Sequence, residues 1–240
     1  RDCDVCLVGS EMCIRDRHKR GALKQMSLIA VVDYGMGNLR SVDKALEHVA
    51  MSGQEVRITS SAEDIASADR VVFPGQGAAR DCMHELKQRN LIEPVMQAAK
   101  EKPFLGICMG LQVLMSHSEE NKGVDCIGMY KGEVRFFGDA INRDASAEQL
   151  KIPHMGWNNV TQTISHPLWH GIKQGSRFYF VHSYYVDPEN EAIVAGETNY
   201  DIVFTSAVAC GNVFAVQFHP EKSAADGLQL LKNFTRWDGK

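Results

Sequence analysis

The chain has 240 residues, 44% hydrophobic and 23% charged, and carries a net charge of −4. This suits one sizeable globular core in water and gives no reason to expect a second domain. It excludes a basic nucleic-acid footprint and a membrane span of ~20 apolar residues, and the seven scattered cysteines show no disulfide rhythm, so a reducing cytoplasm is the expected setting.

Residues 1–25 differ in character from the rest of the chain. They hold three of the seven cysteines, six Lys/Arg and four Asp/Glu. They contain no apolar stretch of secretory-signal length. Cys3-x-x-Cys6 with Cys13 and His18 has zinc-ligand chemistry but no second well-spaced pair, so no metal is expected there. The expectation is that Met26 is the natural start and that residues 1–25 are a non-native or disordered extension. Residues 26–240 then form one domain.

From Met26 onward, strands and helices alternate. SLIAVVDYG (27–35) is a β-branched apolar run closed by glycine, which predicts a buried strand. NLRSVDKALEHVA (38–50) places Leu39, Val42, Leu46 and Val49 on one helical face, with Gly53 beyond its end. Strands are predicted at 55–59 and 69–73, helices at 79–90 and 92–100, a strand at 103–107 and a helix at 110–118. That pace argues an α/β fold, a mostly parallel central sheet with helices on both faces. The second half reads as strand-like runs at 132–137, 158–162, 176–186, 192–198, 202–212 and 213–220, with a closing helix at 223–236. These predict an additional antiparallel β section.

The chemistry centres on PFLGICMGLQ (103–112). Gly106-x-Cys108-x-Gly110 between strand and helix has the form of a nucleophile elbow, where small neighbours permit the strained turn. A helix N-terminus would also favour the thiolate. On local grounds the thiol is equally well a small buried hydrophobe. A nucleophile needs a base and an orienting group, and VFAVQFHPEKS (213–223) supplies His219, then Pro220, then Glu221. A carboxylate two residues on can hold the imidazole tautomer and leave the other ring nitrogen for a thiol. His18, His48, His84, His117, His166 and His170 lack such neighbours and read as structural. Finally, VVFPGQGAA (71–79) runs a strand into a glycine-rich turn. Gly75 and Gly77 let the backbone aim the Gln76 N–H at an oxyanion, and the Met109 N–H is a second candidate donor. A simple β-turn fits the same residues.

LGICMGLQ, PGQGA and FHPEKS together resemble the class I (triad) glutamine amidotransferases, and the likeness spans about residues 28–236. DYGMGNLRSV (33–42), IPHMGWN (152–158) and YFVHSYY (179–185) point within that family to glutaminase subunits of histidine biosynthesis. The anthranilate synthase glutaminase is the alternative. The resemblance implies the class I amidotransferase fold and hydrolysis of L-glutamine through a γ-glutamyl thioester on Cys108, with His219 and Glu221 completing the triad. It implies that Gln112 and the backbone around His182, Ser183 and Tyr184 bind the substrate, and that no metal or organic cofactor is needed. It also implies a heterodimer with a (β/α)8-barrel cyclase subunit that receives the ammonia. Asn38, Trp157 and Lys222 would lie on the docking face. Trp157 reads equally as a core aromatic and Lys222 as a solvated charge.

Overall fold

In a computed structural model, residues 26–140 and 150–240 are described. The expectations for residues 1–25, including the cysteine pair, lie outside them. Strands β1 (Ser27–Val32), β2 (Gln54–Thr59), β3 (Arg70–Gly75) and β4 (Phe104–Cys108) form the parallel part of the sheet in the order β2-β1-β3-β4. The last parallel strand, Val213–Val216, lies against β4 although more than a hundred residues separate them in sequence. Beyond it the sheet turns antiparallel through Ile202–Cys210, Tyr184–Pro188 and Gly132–Phe136.

Alternation along the parallel strands feeds two cores. On one face Ala30, Val32, Val71, Phe73 and Phe104 pack with Ile65, Leu86 and Val95 from helices α2 (Ala62–Ser67), α3 (Ala79–Gln88) and α4 (Ile92–Glu101). On the other, Ile29, Val31, Val72, Leu105 and Ile107 meet Val42 and Leu46 of α1 (Leu39–Val49) and Leu230, Leu231 and Phe234 of the closing helix Ala224–Arg236. Strands covered on both faces are apolar throughout, which is why their sequences read as unbroken runs. Each fully buried Leu or Phe contributes roughly 1.5–3 kcal/mol of transfer free energy. Among the described residues, no helix is long and apolar enough to cross a membrane.

Three predicted elements differ, the first being the strand expected over 158–162, which divides between His154–Asn159 in a two-stranded sheet and Thr161–Gln162 in the main one. The helix expected over 110–118 is only α5, Met109–Gln112. Its ladder tightens to Leu114 N–H to Leu111 O and Met115 N–H to Gln112 O, and the chain leaves as the short strand His117–Ser118. The run 176–186 is two strands. Arg177–His182 pairs with His154–Asn159 in a separate two-stranded sheet, and Tyr184–Pro188 joins the main one. The run of apolar and aromatic residues continues past Ser183 with no turn residue of the Gly or Pro kind, so the sequence could not reveal the change of sheet.

Candidate active site

Cys108 ends β4 and opens α5 with φ 54° and ψ −105°, left-handed backbone on a non-glycine residue. Holding that conformation costs of order 1–3 kcal/mol, which the surrounding sheet must supply. The flanking glycines are steric requirements. A Cβ on Gly110 would sit 1.9 Å from the Phe73 carbonyl oxygen, and one on Gly106 would sit 2.8 Å from the Ala215 Cβ. The elbow is pressed between its two neighbouring strands. Gly75 is in register with Cys108, so the Pro74-Gly75-Gln76-Gly77 turn lies beside the thiol. Gly75 is itself crowded, since a Cβ there would meet the Tyr34 hydroxyl at 2.2 Å, and Gly77 takes φ +95°.

Val213–Val216 delivers the partners from the other side of β4. His219 Nδ1 lies 2.9 Å from Glu221 Oε1, with the two side chains only 6% and 1% exposed. Its Nε2 is buried without a well-aligned hydrogen-bond partner and is coupled electrostatically to the Cys108 sulfur. Burial alone would lower the His219 pKa. Negative charge at Cys108 and the Glu221 carboxylate outweigh it and raise the pKa to about 10. A one-turn α5 contributes little macrodipole, so the group electrostatically coupled to the sulfur is His219.

The sign of this shift has two consequences. His219 is held above its ordinary value of 6.5, so its stabilising contribution is complete below about pH 6.5 and lost as pH rises through about 10. In Cys108→Ala the anion is gone and burial is opposed by Glu221 alone. The His219 imidazole should then titrate at distinctly lower pH, read from its ring-proton NMR shifts. An unmoved titration would show that the pair is not coupled.

These groups open on a cavity of about 770 Å³. Gln76, Gly77, Cys108, Met109, Gln112 and His219 line it, joined by His182, Ser183, Tyr184 and Lys222 from the opposite wall. Gln112 is 3% exposed and donates through Nε2 to the Tyr184 carbonyl (3.1 Å) and to Gln217 Oε1 (3.0 Å). His182 Nδ1 also meets the Tyr184 carbonyl, at 2.7 Å, and its Nε2 lies 3.0 Å from His154 Nδ1. Burial lowers both imidazoles, to about 3 for His182 and about 4 for His154, so both are neutral. The carbonyl can only accept, which makes His182 the Nδ1–H tautomer.

Sequence reasoning missed three parts of this wall. Gly35, Met36 and Gly37 line the cavity from the loop after β1. Pro153, just before the strand His154–Asn159, and Val181 of its partner strand also contribute. Glu120, also at the cavity, receives the Ala79 N–H at 2.6 Å and so fixes the start of α3 just beyond the glycine-rich turn. Burial raises its pKa, opposed by that hydrogen bond. Of the predicted docking residues, Trp157 is 44% exposed, Lys222 stands 5.9 Å over the Tyr179 ring, and Asn38 opens α1 without a side-chain capping bond. Among the described residues, no group of three or more His, Cys, Asp or Glu side chains could hold a metal ion.

Fold and site bring a thiol, an imidazole and a carboxylate together at the carboxyl edge of a parallel sheet. The family model for Glutamine amidotransferase class-I matches residues 30–237. The chain is 58% identical over 219 residues to the imidazole glycerol phosphate synthase subunit HisH of Hydrogenovibrio crunogenus, covering 91% of this chain and 100% of that one. It is 60% identical over 210 residues to the HisH subunit of Thiobacillus denitrificans, covering 88% and 91%. Among solved structures, PurLQS from Thermotoga maritima shares the fold, with a TM-score of 0.64 at 18% identity over 88% of this chain and 98% of that one. The chain belongs to the class I glutamine amidotransferases and, within them, to the family of HisH subunits.

Proposed function

We propose that this chain is the glutaminase subunit of imidazole glycerol phosphate synthase. The observation that carries the reading is the Cys108–His219–Glu221 arrangement on one cavity, in a chain 58% identical to a HisH subunit over that subunit's whole length. The Cys108 thiolate attacks the side-chain amide carbon of L-glutamine. Negative charge developing on the carbonyl oxygen is met by the N–H groups of Gln76 and Met109, donors worth roughly 3–4 kcal/mol each in the transition state. His219 protonates the departing nitrogen, leaving a γ-glutamyl thioester and ammonia. It then takes a proton from water for deacylation, while Glu221 holds its Nδ1–H. Gln112 and the backbone at Ser183 and Tyr184 position the substrate, and the Glu120 carboxylate faces its α-ammonium.

Residues 26–240 act as one glutaminase domain in the cytoplasm, paired as a heterodimer with a (β/α)8-barrel cyclase that uses the ammonia to make imidazole glycerol phosphate. Exposed Met155 and Trp157 lie on the strand paired with Arg177–His182, whose end lines the cavity. Such aromatic anchors are favoured at interface centres. Trp157, Asn38 and Lys222 form this docking face, with Lys222 against a cyclase carboxylate.

The test is a glutaminase assay of the lone subunit and of its complex with the cyclase and the cyclase nucleotide. Turnover should rise on complex formation, and Trp157→Ala should weaken cyclase binding at least about tenfold by titration calorimetry. Full turnover without the partner, or unchanged binding by the variant, would count against the assembly.

A further inference from the structure

Gln217 lies between the apolar strand and the triad histidine, and it is completely buried. A buried amide must satisfy its donors and acceptor within the protein. Its backbone N–H goes to the Ser206 carbonyl, and its side-chain carbonyl accepts from Gln112 Nε2 at 3.0 Å. Its side-chain N–H points at the Cys108 sulfur, with Nε2 to Sγ at 3.6 Å.

The orientation of this amide follows from its surroundings. The Tyr184 carbonyl can only accept, so the Gln112 atom beside it is nitrogen. That nitrogen has a second hydrogen, which makes the Gln217 atom facing it oxygen. The remaining end of Gln217, aimed at the sulfur, is therefore the NH2 group. A flipped amide would place two donors against each other at one end and an oxygen against a thiolate at the other.

We propose that Gln217 is a thiolate-orienting donor for the glutaminase reaction, held in its donating orientation by Gln112 and the Tyr184 carbonyl. This rests on Cys108 being the nucleophile. The thiolate has lone pairs in several directions, and His219 can meet only one of them. Gln217 satisfies a second, restrains the sulfur, and lowers the free energy of the anion before substrate arrives. The same chain of hydrogen bonds joins the substrate wall to the nucleophile, since Gln112 lines the cavity while its nitrogen sets Gln217.

The experiment uses Gln217→Glu, which keeps an oxygen for Gln112 and replaces the donor, and Gln217→Met, which has similar volume and no donor. Iodoacetamide alkylation of Cys108 is followed across pH, together with glutamine turnover and thermal melting. Both folded variants should alkylate about tenfold more slowly at neutral pH, with the reactivity midpoint moved to higher pH. Their kcat should fall by a similar factor, with KM for glutamine within about twofold. A purely structural role would lower the melting temperature and leave the midpoint where it was. Two folded variants with unmoved midpoints overturn the proposal.

Should neither variant fold, the wild-type chain still decides. Under 15N labelling, one glutamine side-chain amide should shift as Cys108 ionises and stay fixed in Cys108→Ala. The absence of any such resonance overturns the proposal as well. Glutaminase activity that survives Cys108→Ala would instead overturn the underlying assignment of the nucleophile.

Discussion

Cys108→Ala is expected to reduce glutamine hydrolysis by about 10⁴-fold or more while the chain folds as before. The size follows from the chemistry. Without the sulfur there is no γ-glutamyl thioester, and what remains is substrate binding and oxyanion stabilisation, which act weakly without a nucleophile. His219 and Glu221 stay in place, because their mutual bond does not involve the sulfur. In the complex with the cyclase, cyclisation driven by added ammonium salts should persist while cyclisation driven by glutamine disappears. That split locates the loss in ammonia production. Retention of more than about 1% of glutaminase turnover would remove Cys108 from its role.

Among the described residues, Gly110→Ala should be one of the most damaging glycine-to-alanine changes. The new carbon would sit 1.9 Å from the Phe73 carbonyl oxygen and 3.0 Å from its carbonyl carbon, and both are backbone atoms of β3. No side-chain rotation relieves the clash, so either β3 or the elbow must move. Overpacking of this kind costs at least about 3 kcal/mol, the upper part of the usual range. For a chain of this length that lowers the melting temperature by about 6–12 °C. Displacing the elbow by about 1 Å also misaligns Cys108 with His219, for a further loss near 10²-fold in kcat. Gly196→Ala is the control. It lies outside the cavity, and its nearest atom is the Val160 side chain at 3.1 Å, so stability should fall less and turnover should be kept. Equal melting temperatures for Gly110→Ala and wild type would refute the steric account.

The elbow could be read from the sequence because its requirements are local. Close passage of neighbouring chain at 106 and 110 leaves glycine as the residue that fits on either side of the left-handed Cys108, and glycine is visible in the sequence. His219 and Glu221 were legible for the same reason, since two residues of spacing and a proline fix their geometry. Glu120 was not. It sits in a short 3-10 turn where Asn121 and Lys122 take positive φ, and it reaches the site by crossing to α3. No local pattern encodes that approach. Gln217 is hidden differently, as one polar letter in an apolar run whose role appears only when strands at 104–108 and 213–216 lie side by side. The alternating parallel half was legible because both its faces are buried. The split at Ser183 was not, because alternation reports a strand and says nothing about which sheet accepts it.

The position of Val213–Val216 between β4 and the antiparallel strands also sets the order of events during synthesis. This strand closes the sheet, yet it comes near the end of the chain. Loop-closure entropy makes such long-range parallel pairing slow, and chains emerge N-terminus first. Cys108 is therefore made long before His219 exists beside it. The pairing of thiol and imidazole is thus set by topology: it is assembled with the last strand and not when Cys108 itself is made.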